Sequence, residues 1–453
     1  MRLCATFMKE IIMNLINLRI FVITFVLFLC AGLKPSAGDW QWSPIGLDGG
    51  GALWGPGISP HDPDLIFVGS DMGVFYRSKD RGKSWMMYSP EVIKHANWRG
   101  FPVSFHPTDP DIVFAFADWQ IFVSNDCGDK WKPWVVSPPW KRRTLTIAPY
   151  FDRSNPDLVF VGTDRKDGSA FMSIDGGKSW EQLTTIKGNV IGFLVDQTTP
   201  RKKRTSFICT ETGLYRSTNG GKTWKLLSLP QVEGEAPQTG PGLGPKGAER
   251  NALPKGYITA FTGGSDPDSG DVLLYVLIKG YVYRSNDKGE NWELASDKGL
   301  PQGKIFYLDS AETHPQIVYA ADRQGPEHWW NYDKGLYKST DGGKTWYGSL
   351  NISERGWANL THGYHMGGPP FSRNLYVSPL DPNLLVFTTG MELYASFNGG
   401  KEWKQLYSRD KGEGRWGTTG LLVTSVQRYI QDIHDSNRHY ICCLLYTSDA
   451  ADE

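Results

Sequence analysis

The chain has 453 residues, enough for one large core or for two ordinary domains. Its 48 basic residues balance 48 acidic ones, and no basic stripe runs along it, so the sequence offers no electrostatic footprint for nucleic acid. With 18 Trp and 51 Gly it is composed for short strands, tight turns and flat stacking surfaces.

The N-terminus reads as an export signal over residues 1–37. Arg2, Lys9 and Arg19 precede an apolar run from Ile20 to Leu29, and small residues follow at Ala31, Gly32, Ser36 and Ala37. The run is short for a bilayer span, so no stable membrane span is expected once the signal is removed, and the protein is expected to be secreted, periplasmic or at the cell surface. Cys4 and Cys30 fall within the signal. Cys127 and Cys209 lie in different repeats, and no disulfide framework is expected.

From residue 38 to 442 one signature dominates. Ser-x-Asp/Asn-x-Gly-x-x-Trp recurs seven times, beginning at Ser78, Ser124, Ser173, Ser217, Ser285, Ser339 and Ser396. Starts lie 44 to 68 residues apart, the length of a four-stranded propeller blade with variable loops. The expected fold is therefore all-β: a propeller of four-stranded Asp-box blades, at least seven in number and truncated at its C-terminus. Within each box the Asp or Asn suits a turn that accepts backbone N–H bonds. Gly suits the positive-φ position. Trp begins the next strand and buries its ring. Asp80, Asp126, Asp175, Asp287 and Asp341 are accordingly read as turn residues rather than catalytic ones.

Before each box comes a turn of the Pro60-His-Asp-Pro-Asp64 kind, then an apolar strand such as Leu65–Val68 and a second such as Val74–Arg77. Calling the strands A to D, the Asp-Pro turn joins A to B and the box joins C to D. Antiparallel order then puts A–B turns and boxes on one face, and B–C turns with D–A connections on the other.

That second face collects the chemistry. Its B–C turns carry Asp71, Asp118, Trp119, Asp164, Glu211 and the segment 322–333 with Glu327, Trp329 and Trp330. Its D–A connections carry Trp98, Arg99, Trp357, His362, Tyr364, His365, Arg415 and Trp416, and a Pro/Gly-rich insertion spans 229–256. Carboxylates between exposed tryptophans suit a polysaccharide or oligosaccharide, because sugar C–H faces stack on indole and paired acids cleave a glycosidic bond. Asp71 with Asp118 or Glu327 is one candidate pair. His362, Tyr364 and His365, with Arg99 or Arg415 against a uronate, are the elements of a lyase instead. A propeller that only binds glycan or protein is the third possibility. His362 and His365 have no further ligand signature, so no metal and no other cofactor is expected.

The opening from Trp42 to Arg77, with Gly49-Gly-Gly51, Pro-His-Asp-Pro and Ser70-Asp71-Met-Gly-Val-Phe-Tyr-Arg77, resembles that of xyloglucanase-type glycoside hydrolases. The resemblance implies two seven-bladed propellers and a catalytic carboxylate at Asp71. The family's second carboxylate precedes an Ile-Asp-Pro-Phe-Asp-Ser stretch. The counterpart here is Gln431-Asp-Ile-His-Asp-Ser436, and Gln427 stands where that acid is expected. An eighth unit opens near Asp435, so either a larger ring or a second ring is expected. Residues 443–453 resemble the translation of a sequencing adaptor and are read as foreign to the protein.

Overall fold

The computed structural model describes residues 53–70, 75–88, 92–93, 103–117, 119–140, 145–164, 169–232, 258–295, 298–322, 335–354, 375–388, 393–412, 416–420, 426–431, 434 and 439–443. All belong to the compact unit 46–453. Apart from one short turn of helix at Arg201–Lys203, the regular structure described is β-sheet.

Among the described residues seven sheets follow one another in chain order, each with four antiparallel strands and the last with a fifth added in parallel. Blade 1 holds β1 (Leu53–Ile58), β2 (Ile66–Ser70), β3 (Phe75–Ser78) and β4 (Met86–Tyr88). Blade 2 holds β5 (Val103–Phe105), β6 (Val113–Ala117), β7 (Gln120–Ser124) and β8 (Lys132–Pro133). Blade 3 holds β9 (Leu145–Asp152), β10 (Asn155–Thr163), β11 (Ala170–Ser173) and β12 (Glu181–Leu183). Blade 4 holds β13 (Val190–Asp196), β14 (Thr205–Thr210), β15 (Gly213–Ser217) and β16 (Lys225–Leu226). Blade 5 holds β17 (Ile258–Ser265), β18 (Val272–Ile278), β19 (Tyr281–Ser285) and β20 (Glu293–Leu294). Blade 6 holds β21 (Ile305–Ser310), β22 (Val318–Asp322), β23 (Leu336–Ser339) and β24 (Tyr347–Gly348). In blade 7, β25 (Ile352–Glu354) adds in parallel outside the run β26 (Leu375–Val377), β27 (Leu385–Thr388), β28 (Leu393–Ser396) and β29 (Trp403–Gln405).

The ring closes at seven. The first strand of each blade touches the first strand of the next, from β1 through β5, β9, β13, β17 and β21 to β26, and β26 returns to β1. One apolar core runs across the closure. It joins Tyr319 of blade 6, Trp403 and Tyr394 of blade 7, and Leu53, Val68 and Tyr76 of blade 1. A larger ring is thereby ruled out. The outer strands β8, β16, β20 and β24 present exposed residues, as the solvent-facing edge of a blade should.

The hairpin of β30 (Ser408–Asp410) and β31 (Trp416–Thr418) belongs to no blade. It lies along the seam. Trp85 donates its indole N–H to the Leu406 carbonyl at 2.9 Å and its backbone N–H to that of Thr419 at 2.8 Å, while Arg409 reaches the carbonyl of Lys83. Beyond it, β32 (Val426–Gln431) and β33 (His439–Cys443) pair, among the described residues, only with each other. Cys443, the first residue read as foreign, pairs with Val426, and residues 444–453 lie outside the described residues.

Candidate functional site

The box chemistry comes first, because it removes one face from contention. In the box of blade 1, Ser78 Oγ donates to Asp80 Oδ1 at 2.8 Å and accepts the Gly82 N–H at 2.8 Å, and Asp80 Oδ1 also accepts the Ser84 N–H at 2.8 Å. The same set recurs with Asp126, Asp175, Asn219, Asp287, Asp341 and Asn398. The box glycine always has positive φ, and so does the residue before it, even where that residue is Arg81, Cys127 or Lys288. Hydrogen bonds from Ser179 and Ser173 hold the Asp175 carboxyl at about 2. At Asp341 desolvation is the largest single influence and opposes ionisation, but hydrogen bonds from Thr345, Ser339 and Lys344 together outweigh it, and the carboxyl again falls to about 2. These carboxylates stay ionised and saturated with donors. They are turn residues, with no proton to give.

Six of the seven boxes also bond to the A–B turn of their own blade, as Arg81 N–H does to the Asp64 carbonyl and Cys127 N–H to that of Asp111, so both lie on one face. On this box face the channel is bridged. Tyr150 and Arg153 of blade 3 meet Glu312 of blade 6. The phenol lies 3.0 Å from Glu312 Oε2 and the guanidinium Nε 3.3 Å from it, and Tyr150 also accepts the Val195 N–H at 3.1 Å. Desolvation, offset in part by Arg153 and Tyr150, pushes the Glu312 carboxyl up to about 7. Blades 3 and 6 lie on opposite sides of a seven-membered ring, so this contact spans its axis.

The opposite face is the candidate site. Strand register fixes equivalent steps in the B–C hairpins. Ile66 pairs with Ser78, Val113 with Ser124, Val159 with Ser173, and Ser206 with Ser217. Counting five residues along the sequence from Ile66, Val113, Val159 and Ser206 reaches Asp71, Asp118, Asp164 and Glu211, of which Asp164 and Glu211 are among the described residues. Asp164 and Glu211 are half-buried, and Glu211 Oε2 accepts from Asn189 Nδ2 at 2.7 Å. Trp119 is half-buried, and its carbonyl accepts the indole N–H of Trp140 at 2.8 Å. Asp71, Asp118, Glu327, His362, Tyr364, His365, Trp98, Arg99, Trp329, Trp330, Trp357 and Arg415 lie outside the described residues, as does the side chain of Trp416.

Three features escape the sequence reading. Trp134 and Trp140, outside the boxes, are packing residues: Trp140 is fully buried against Phe171 and Trp180, and Trp134 lies against Phe114 and Phe151. The D–A connections are not confined to one face. Carbonyls of Lys298, Asn351 and Thr419 accept the backbone N–H of Trp346, Trp403 and Trp85, which start fourth strands of the following blades. Finally, Asp322 ends β22 as a buried carboxyl. Desolvation, opposed by the Tyr337 hydroxyl and by Lys304, pushes it up to about 6. The signal for it in the sequence is a carboxylate where other blades put Ser70, Thr163 or Thr210.

Comparison with known proteins agrees with this architecture. The BNR-Asp box repeat family matches residues 75–87, and the BNR/Asp-box repeat family matches residues 215–226. The xyloglucanase Xgh74A of Acetivibrio thermocellus is 23% identical over 433 residues, covering 79% of this chain and 48% of that protein. A probable oligoxyloglucan-reducing end-specific xyloglucanase of Neosartorya fischeri is 24% identical, covering 87% of this chain and 50% of that one. The crystal structure of the GH74 xyloglucanase from Xanthomonas campestris superposes with a TM-score of 0.59 at 18% identity, over 87% of this chain and 58% of that one. The chain spans about half the length of the curated relatives it matches. Taken with the closed ring and the seven boxes, these findings make the chain an Asp-box repeat β-propeller that is similar in sequence to xyloglucanases and shares the propeller fold of the GH74 structure.

Proposed function

We propose that this chain is the propeller of an exported glycoside hydrolase that takes a xyloglucan-like polysaccharide on its loop-rich face. Asp71 is one catalytic carboxylate and Asp118 or Glu327 its partner. The observation that carries the reading is the similarity to xyloglucanases over some four-fifths of the chain. Two structural facts support it. The box-face carboxylates are locked in turns, and that end of the channel is bridged by Tyr150, Arg153 and Glu312. The flanking strands of blades 1 and 2 pair Ile66 with Ser78 and Val113 with Ser124, and in the sequence Asp71 and Asp118 each follow five residues after Ile66 and Val113. One carboxyl must be protonated to assist the leaving group and the other ionised. Trp98, Trp119, Trp329, Trp330 and Trp357 are the stacking platforms in this reading, and Arg99 a polar contact.

The test is an assay of the protein on a panel of soluble polysaccharides that includes xyloglucan and polygalacturonate. New reducing ends without ultraviolet absorbance are expected from xyloglucan. Absorbance from an unsaturated uronate would replace this reading with a lyase acting through His362, Tyr364 and His365. Neither product, with no retardation of the protein in polysaccharide gels, would overturn it.

A further inference from the structure

On the box face, the connections from strand A to strand B are acidic in six blades. Each carries a carboxylate that is exposed or half-buried, such as Asp64, Asp111, Asp157, Asp268, Glu312 and Asp381. Blade 4 inverts this. Its connection reads Gln197-Thr-Thr-Pro-Arg-Lys-Lys-Arg204, and Arg201, Lys202 and Lys203 are all exposed. The carboxylate that opens it, Asp196, is fully buried, with Lys288 Nζ on its Oδ2 at 2.8 Å. The three exposed cations have no ion-pair partner among the described residues. The blade's own box lies against them. Gly220 N–H donates to the Arg204 carbonyl at 3.1 Å, and the Lys202 carbonyl is 3.2 Å from where a Cβ on Gly220 would sit. That box holds Asn219 in the place of the usual Asp, so it offers no carboxylate to offset the charge, and its Lys222 adds a fourth exposed cation.

The cations stand on a braced backbone. Arg204, the last base of the run, is buried and turned inward. Its Nε donates to Asp152 Oδ2 at 2.7 Å, its Nη1 to the carbonyls of Gln197, at 3.2 Å, and Thr199, and its Nη2 to Ser154 Oγ and to Gln197 Oε1, the latter at 3.2 Å. Asp196 Oδ1 accepts the Thr198 N–H at 2.9 Å, Thr199 Oγ1 accepts the Thr205 N–H at 3.0 Å, and the Lys203 N–H closes on the Pro200 carbonyl at 2.8 Å. A connection already ordered in this way has less freedom to lose when it binds. In so tight a turn successive side chains point about 120° apart, so Arg201, Lys202 and Lys203 fan out instead of converging. That spread fits a flexible chain with charges along its length better than one small anion.

We propose that Arg201, Lys202, Lys203 and Lys222 form a docking surface on the box face for an anionic polysaccharide, a sugar chain bearing uronate carboxylates. A lipid surface would draw in an apolar side chain along with the cations, and a single-stranded nucleic acid would use a stacking aromatic. The large apolar side chains that are exposed among the described residues all lie outside this connection and the box beside it. Carboxylates spaced along a sugar chain require only the cations. The surface is separate from the loop-face reading above: it holds the protein to an acidic polymer by one face and leaves the other free.

Retardation in gels containing soluble polygalacturonate, relative to gels without it, makes the test. Melting temperature and reducing-end release from xyloglucan are measured on the same proteins. One triple variant, Arg201→Gln with Lys202→Gln and Lys203→Gln, neutralises the turn. A second, Lys130→Gln with Lys344→Gln and Lys401→Gln, removes the same charge from exposed positions in the boxes of blades 2, 6 and 7. All six side chains are exposed, so both variants are expected to keep the wild-type melting temperature. The box variant should be retarded like the wild type, and the turn variant should bind about tenfold more weakly, a difference that high salt abolishes. Equal weakening in the two variants would reduce the effect to net charge and overturn the surface. Undiminished retardation of the turn variant would place the polyuronate elsewhere and overturn it too. A wild type that polygalacturonate does not retard would also overturn it, and binding to phosphatidylglycerol vesicles in its place would assign the turn to a lipid surface. Release from xyloglucan is expected to be equal in all three proteins, and its absence from all three would count against the loop-face reading alone.

Discussion

Single residues of the box were readable because each has one job that its chemistry dictates. Serine accepts and donates at once, Asp or Asn collects N–H groups, and Gly supplies positive φ. Asp341→Ala should lower stability by about 0.5–2 kcal/mol, the range for a lost side-chain cap. Asp341→Asn should stay within about 0.5 kcal/mol at pH 7, as expected of a substitution that keeps the turn intact. Asn219 and Asn398 already fill the role in blades 4 and 7. Urea titration of the two variants checks this. The pH dependence has a definite sign. Asp175 and Asp341 are depressed from 3.8 to about 2, so their contribution is complete above 3.8 and is lost as pH falls towards 2. The acid limb of an unfolding curve should therefore be shallower in Asp341→Asn. Asp322 was less readable, because a carboxylate at a strand end in the sequence looks like any solvated loop residue. Only the structure shows it buried, with one oxygen that has no hydrogen-bond partner among the described residues.

At the scale of strands and hairpins, what was missed is what joins blades rather than what builds them. The residue before the box serine reaches forward around the ring. Arg77 Nη1 donates to the Cys127 carbonyl at 2.9 Å, Arg216 to that of Lys288 at 2.9 Å, Arg284 to that of Gly342 at 2.9 Å and Lys338 to that of Gly399 at 2.8 Å. Each acceptor is the carbonyl of the first left-handed residue in the next box. In the sequence these cations are merely polar members of an alternating strand. Blades 2, 3 and 7 place Val123, Met172 and Ala395 there, so the pattern does not recur in every repeat. Arg77 is almost fully buried and also pairs with Asp129 at 2.6 Å. Arg77→Met should cost about 1.5–3 kcal/mol, since it removes a charged donor from a buried carbonyl. Arg77→Lys should recover part of that in the same denaturation experiment. The strands β25, β30 and β31 also went unread. They are three residues long, too short for an alternating pattern to register.

For the whole molecule, seven boxes announced the blades but could not say whether seven close a ring. Closure is decided by the fit of Trp85, Leu406 and Thr419 at the seam, and no repeat count contains it. The closed ring also gives its two faces different characters. On one, Glu312 binds blade 3 across the axis with a carboxyl raised to about 7. Its contribution is complete below 4.5 and is lost as pH rises through 7, so the melting temperature of Glu312→Gln relative to wild type should climb across that interval. A difference that is flat with pH would remove Glu312 as a perturbed group. On the other face, reducing-end release from xyloglucan by the wild type, Asp71→Asn and Asp80→Asn tests the central claim most directly. The account predicts that Asp71→Asn abolishes release while keeping the wild-type melting temperature, and that Asp80→Asn, in the box of the same blade, keeps both. Release by Asp71→Asn at the wild-type rate, with a lowered melting temperature, would show Asp71 to be a turn residue and contradict the account.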